Sequence, residues 1–194
     1  MTKLIVGLGN PGDEHEEDRH NAGFWFVDAL AKQLNARFES EKRFHGKVAK
    51  AKWEGEDLFL LKPSTYMNLS GQAVGALCRF HKLTPADVLV VQDELDLKPG
   101  TARIKLGGGT GGHNGLKDIQ LTLGTDAYPK LRFGIGNNFA KGQQVDFVLG
   151  RWAQGERKTI DLKIQKSVEV IESFAAIGLS RTMTMANALD IKPE

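Results

Sequence analysis

Residues 3–8 (KLIVGL) form an almost unbroken apolar run that passes into glycine, the pattern of a strand buried on both faces. Between residues 22 and 34, Gly23, Val27, Leu30, Ala31 and Leu34 recur at helical spacing and predict a helix. Residues 47–53 alternate polar and apolar, Glu54–Asp57 (EGED) supplies a turn, and residues 58–61 are a short apolar strand. These two strands are expected as a hairpin or as neighbours. A loop at 62–68 leads into a helix at 70–81 with Ala73, Val74, Leu77 and Cys78 facing inward. Strands follow at 88–91 and 101–106, a helix at 116–123, and strands at 131–135 and 145–149. Ile160, Ile164, Val168, Ile171 and Phe174 mark a long C-terminal helix, and a short last helix is expected at 180–189. This alternation predicts an α/β fold: a single domain over 1–194, with a mixed twisted sheet and helices on both faces.

Composition narrows the class. The chain has 194 residues, 41% of them hydrophobic, enough to build a core within one domain. A net charge of +2 is too mild to argue for nucleic acid, so any RNA contact must come from a local basic patch. Cys78 is the only cysteine, which excludes an internal disulfide and suits a reducing compartment. No apolar run approaches the roughly 18–20 residues of a membrane span. The expectation is a cytoplasmic protein with no membrane contact.

Two motifs invite cofactor readings. Gly7, Gly9 and Gly12 of GLGNPG have dinucleotide-turn spacing, which brings backbone close to a pyrophosphate at a helix N-terminus. Pro11 disfavours helix at Asn10, however, and Asp13, Glu14, Glu16, Glu17 and Asp18 would repel a pyrophosphate. HEEDRH has one residue more than the zinc motif H-E-x-x-H. On a helix His15 and His20 would lie about 140° apart, and one face could not present both to a metal. No G-K-[ST] follows a glycine loop. No cofactor and no metal are expected.

Polar residues cluster in four segments: Asn10 with Arg19-His20-Asn21; Tyr66-Met67-Asn68; Gln92-Asp93-Glu94; and His113-Asn114 after GGGTGG. Asn10 and Asp93 follow predicted strands, whose carboxyl ends form the usual crevice of an α/β sheet. A His–Asp pair can activate water, and side-chain amides can bind a carbonyl and its developing oxyanion. Ser64 and Ser70 lack a nucleophile-elbow context, and Cys78 faces inward. The same asparagines could equally serve as helix caps and loop ligands. His45 and His81 stand in basic, surface-like contexts.

Taken in order, GLGNPG…RHNAG, KPSTYMNLSG, QDELDLKPG, GGGTGGHNGLKD, RFGIG and FVLG resemble the bacterial peptidyl-tRNA hydrolase family, from residue 4 to about 150. The resemblance implies hydrolysis of the ester joining a peptide to the 3′ end of tRNA. It implies His20 as the base, Asp93 as its support, and Asn10 near the scissile bond, where it discriminates N-blocked esters. It implies Asn68 and Asn114 as ligands of peptide and 3′ end, and Tyr66 and Met67 as lining of that channel. His113 is a secondary positioning candidate, and Lys105 and Arg132 are phosphate contacts. It further implies a metal-independent monomer whose partner is peptidyl-tRNA, with no obligate protein partner. The family usually has tyrosine at the position of His15 and threonine at that of Asp18, and histidines where Gln92 and Thr110 stand; His15 is kept as a binding residue. Asn137-Asn138-Phe139 replaces a common His-Pro-Gly. Two other readings remain to be weighed: an RNA-binding relative without catalysis, and the dinucleotide enzyme.

Overall fold

The computed structural model describes residues 2–186 and 192–193. A mixed sheet in the order β2-β3-β4-β1-β5-β7-β6-β8 organises them. Its strands are β1 (Thr2–Gly7), β2 (Glu39–Glu41), β3 (Gly46–Trp53), β4 (Glu56–Pro63), β5 (Val88–Glu94), β6 (Ala102–Leu106), β7 (Pro129–Gly134) and β8 (Lys192–Pro193). The central strands β4, β1, β5 and β7 run parallel, while β3 and β6 are antiparallel to their neighbours β4 and β7. The predicted hairpin is β3–β4, joined by a turn at Glu54 and Gly55.

Because side chains alternate along a strand, each central strand feeds two cores. Ile5, Leu89 and Val91 pack with α1 (Ala22–Gln33) and α5 (Gln154–Ala186). Leu4, Val6, Val88 and Val90 pack with α2 (Ser70–His81) and α3 (Asn114–Leu123) on the other face. Both faces are thus covered, which explains why β1 and β5 read as continuous apolar runs.

The glycines at the end of β1 serve close packing. A Cβ on Gly7 would stand 2.2 Å from the carbonyl oxygen of Gly23 in α1. One on Gly23 would meet backbone atoms of Leu8 and Val91, at 2.4 and 2.5 Å. Gly9 lies under the Phe24 ring, and of the three only Gly12 has a positive φ, 102°. A dinucleotide turn would start its helix inside the motif, whereas α1 starts at Ala22. The acidic stretch between them forms two short 3-10 turns, Asp13–His15 and Arg19–Asn21.

Two sequence expectations need correction. Residues 145–149 are not a strand: α4 spans Gln144–Val148. A separate helix at 180–189 is not formed, since α5 continues unbroken to Ala186; residues 187–189 lie outside the described residues.

Candidate active site

β5 ends by carrying Asp93 to the rim of the sheet, where its side chain is almost completely buried. Its two carboxylate oxygens each take one imidazole. Oδ2 lies 2.7 Å from Nδ1 of His20, and Oδ1 lies 2.8 Å from Nε2 of His113. The two rings stand 5.1 Å apart at 46°.

The hydrogen-bond pattern fixes the protons. Nδ1 of His113 accepts from the backbone N–H groups of Gly115 (3.1 Å) and Leu116 (3.4 Å), so His113 is the N-cap of α3. Its proton therefore sits on Nε2 and is donated to Asp93. His20 donates from Nδ1, which leaves Nε2 with its lone pair as the basic nitrogen. Among the described residues, His20, Asp93 and His113 are the group whose ligand atoms could hold a metal ion. In the geometry formed, both ring nitrogens facing Asp93 carry protons, the opposite of the ligating state.

Burial opposes the imidazolium of His20, but the charge and hydrogen bond of Asp93, with a further contribution from Asp18, overcome it and raise the His20 pKa above its ordinary value. Burial also opposes the charged form of Asp93. The charges and hydrogen bonds of the two imidazoles outweigh it and hold this carboxyl well below the usual carboxylate range.

His20 is carried on the Arg19–Asn21 turn, which is tied to a distant segment. The N–H of Arg19 donates to the carbonyl of Gly150 at 2.9 Å, and Asp18 forms an antiparallel bridge with Arg151. The Arg19 guanidinium lies over the rings of Phe147 and Trp152.

Asn10, on the loop after β1, is clasped by Asn21. Oδ1 of Asn21 accepts the N–H of Asn10 at 2.8 Å, and Nδ2 of Asn21 donates to its carbonyl at 2.9 Å. Oδ1 of Asn10 accepts the N–H of Met67 at 2.7 Å. With Oδ1 so engaged, Nδ2 is the atom of Asn10 available as a donor, since none of the described hydrogen bonds uses it. Asn21 is the positioning side chain that spacing alone undervalues. It precedes α1 as an N-cap, yet its side chain makes no capping bond and holds Asn10 instead.

The other predicted residues divide. Asn114 lines the cleft with His20, Asp93 and His113. Met67 is buried against the start of α3, where a Cβ on Gly115 would approach its Sδ to 2.7 Å. This contact brings exposed Tyr66 and Asn68 alongside α3. Lys105 and Arg132 share one face of the sheet: Lys105 is directly opposite Lys130, and Arg132 is two residues further along β7. Nε of Arg132 is 2.8 Å from Glu94, which lines the cleft. His15 is drawn elsewhere: its Nδ1 bonds Asp18 at 2.6 Å, and it is not among the residues lining the His20 cleft. GGGTGG needs its glycines, since Gly107, Gly108, Gly111 and Gly112 all have positive φ.

A carboxylate-held imidazole in a cleft at the carboxyl ends of parallel strands, with the fixed amide of Asn10 lining a neighbouring hollow, fits the class of α/β enzymes of hydrolytic type. Comparison with known proteins gives the family. The family model described as peptidyl-tRNA hydrolase matches residues 4–194, and the chain belongs to that family. It is 72% identical over 180 residues to the peptidyl-tRNA hydrolase of Polynucleobacter asymbioticus, covering 90% of this chain and 92% of the relative. It is 52% identical over 174 residues to that of Neisseria meningitidis, covering 90% and 91%. The crystal structure of peptidyl-tRNA hydrolase from Acinetobacter baumannii superposes with a TM-score of 0.90 at 40% identity, covering 96% of this chain and 95% of that one.

Proposed function

We propose that the protein hydrolyses the ester between peptide and tRNA with Nε2 of His20 as general base. The observation that carries this reading is the pair of hydrogen bonds on Asp93, which leaves one nitrogen of His20 as the proton acceptor. Nε2 takes a proton from water as the water oxygen attacks the ester carbonyl carbon. Asp93 supports the imidazolium that forms. Nδ2 of Asn10 donates to the carbonyl oxygen as it becomes an oxyanion, a role for which the fixed amide needs no reorganisation. The tetrahedral intermediate then collapses: the bond to the tRNA ribose oxygen breaks, and the imidazolium returns its proton to that oxygen. The products are a peptide carboxylic acid and free tRNA.

Asn68 and Asn114 bind the peptide backbone and the 3′ end, with Tyr66 and Met67 along the channel. Lys105 and Arg132 hold a phosphate of the tRNA, and Lys130 and Arg103 on the same face extend their positive field. We assign the protein to the cytoplasm as a monomer, in keeping with its substrate; no helix among the described residues is long and apolar enough to cross a membrane.

Release of peptide from a defined peptidyl-tRNA tests the mechanism. His20→Ala is expected to lower kcat by about 10²–10⁴-fold. In the unsubstituted protein, kcat/KM should rise with pH through an acidic limb above the ordinary histidine value, because the base must be neutral and its pKa is raised. Near-normal turnover by His20→Ala would reject His20 as the base.

A further inference from the structure

The sequence contains Arg-Phe-His twice, at 43–45 and 79–81, and the hydrolytic site uses neither copy. The fold brings them together. The short turn Lys42–Phe44 precedes β3 and packs on the end of α2. Phe44 and Phe80 meet edge to face with ring centres 5.3 Å apart. The guanidinium of Arg43 lies 4.6 Å from the centre of each of these rings. His81 stacks against Phe59 at 4.2 Å and touches Phe44 and Phe80. Phe80 is 56% exposed. Lys42, Lys50 and Lys82 are exposed around this cluster, and Lys50 reaches over Phe59. Two carboxylates of β2 share this face: exposed Glu39, opposite Val48, and Glu41, whose oxygen is 3.7 Å from Nε of Arg43, a distance at which solvent screens most of the attraction. Burial and the charges of Arg43 and Lys50 lower the His81 pKa, a sign of the positive field there.

We propose that this face, formed by Lys42, Arg43, Lys50, Lys82, Phe80 and His81, is a second RNA contact that holds the body of the tRNA away from its 3′ end. The proposal rests on the peptidyl-tRNA reading above. Three features favour RNA over an acidic peptide. The Arg43 fork is held in place by two rings, an arrangement suited to bidentate recognition of phosphate. The exposed Phe80 face offers a stacking platform for an unpaired base, which peptide carboxylates do not need. The substrate is itself a polyanion, whose affinity comes largely from phosphate neutralisation. The turn that carries Arg43 and Phe44 is also tied to the loop that leads to Met67, since the carbonyl of His45 accepts from the N–H of Ser64 at 2.8 Å.

The test compares the protein with a K42E/R43E/K82E variant and, separately, Phe80→Ala. Binding of deacylated tRNA is measured at several salt concentrations. Turnover is measured on a short substrate, an N-acetyl-aminoacyl ester on a trinucleotide. The triple variant is expected to bind tRNA about tenfold or more weakly at low salt, with a salt slope shallower by about two. Phe80→Ala is expected to lose severalfold. Turnover of the short substrate should be unchanged. Unchanged tRNA affinity and slope would overturn the proposal, and so would equal loss on tRNA and on the short substrate. Failure of the catalytic reading shows differently, as no ester release by the unsubstituted protein, while the binding measurement still decides the surface.

Discussion

At the scale of the residue, Asn10 shows how one side chain divides its two ends. Its oxygen is spent on the N–H of Met67, and none of the described hydrogen bonds uses its nitrogen, the end that the proposed mechanism turns to the substrate. Replacing Asn10 by Asp keeps the oxygen acceptor and removes the donor, placing a carboxylate where negative charge develops. Asn10→Asp is expected to retain near-normal thermal stability while kcat falls by about 10²–10³-fold, the cost of losing an oxyanion donor. Asn10→Ala should lose activity and also stability, by about 1–3 kcal/mol, because the N–H of buried Met67 loses its acceptor. Denaturation midpoints measured beside kcat for the two variants separate these effects. If Asn10→Asp were as destabilised as Asn10→Ala, the division of labour would be wrong. The pairing of His20 with Asp93 was legible in the sequence, because both fall in polar motifs beside predicted strands. The second hydrogen bond on Asp93, from His113, was not. His113 lies 20 residues from Asp93 in a glycine loop, and nothing in its spacing says that its ring caps α3 with one nitrogen and meets the carboxylate with the other. The partnership of His15 with Asp18 likewise appears only once the acidic stretch is folded into 3-10 turns.

At the scale of the element, the packing of α1 on the sheet sets the spacing of the site, because α1 begins where His20 and Asn21 end. Gly23→Ala pushes a methyl group against backbone of Leu8 and Val91, which cannot rotate away. It is expected to cost about 1–3 kcal/mol, or a fall in Tm of about 2–4 °C for each kcal/mol, with kcat reduced as well because β5 carries Asp93. Gly109→Ala, with nothing within 4 Å of its Cβ position, is the control and should melt normally. Equal melting of the two variants would reject the close-packing role of Gly23. The same scale explains which elements the sequence disclosed. β1 and β5 are buried on both faces and read clearly. The run VDFVLG is short and apolar, and such a run has no period by which to choose strand from helix. It forms α4, whose Phe147 lies under Arg19.

At the scale of the whole molecule, Lys130 links the stability of the fold to pH. Its ammonium is buried, donates to the carbonyls of Gly107 and Asp126, and lies 3.9 Å from the centre of the Tyr128 ring. Burial lowers its pKa to about 8, Asp126 opposes the shift and Lys105 adds to it. The unfolded chain holds this proton up to the ordinary lysine value near 10.4. Between about pH 8 and that value the unfolded state binds more protons, so this residue makes stability rise with pH. Tyr128, whose pKa burial and Asp126 push up, has the opposite effect above its ordinary value near 10, and the Cys78 thiol, pushed up to about 11 by burial, already opposes the rise above its ordinary value near 8.5, so the contribution of Lys130 at about pH 8–9.5 is read as a difference between variants. Lys130→Met is expected to make the slope of stability against pH less positive than in the unsubstituted protein across that window, as read by denaturant titrations. An unchanged slope would mean that Lys130 stays charged in the fold. No pattern in the sequence distinguishes this lysine from its solvent-facing neighbours, because its burial comes from the Gly107 and Asp126 carbonyls folded over it.

Asp93 has two oxygens, and both are committed. The imidazole of His20 and the imidazole that opens α3 draw on the same negative charge. Removing the His113 ring would leave one oxygen without its donor and the charge of Asp93 less neutralised, so the proton shared with His20 would be held more tightly by that ring. A residue that begins a helix is in this way also a weight on the proton affinity of a histidine in another part of the chain.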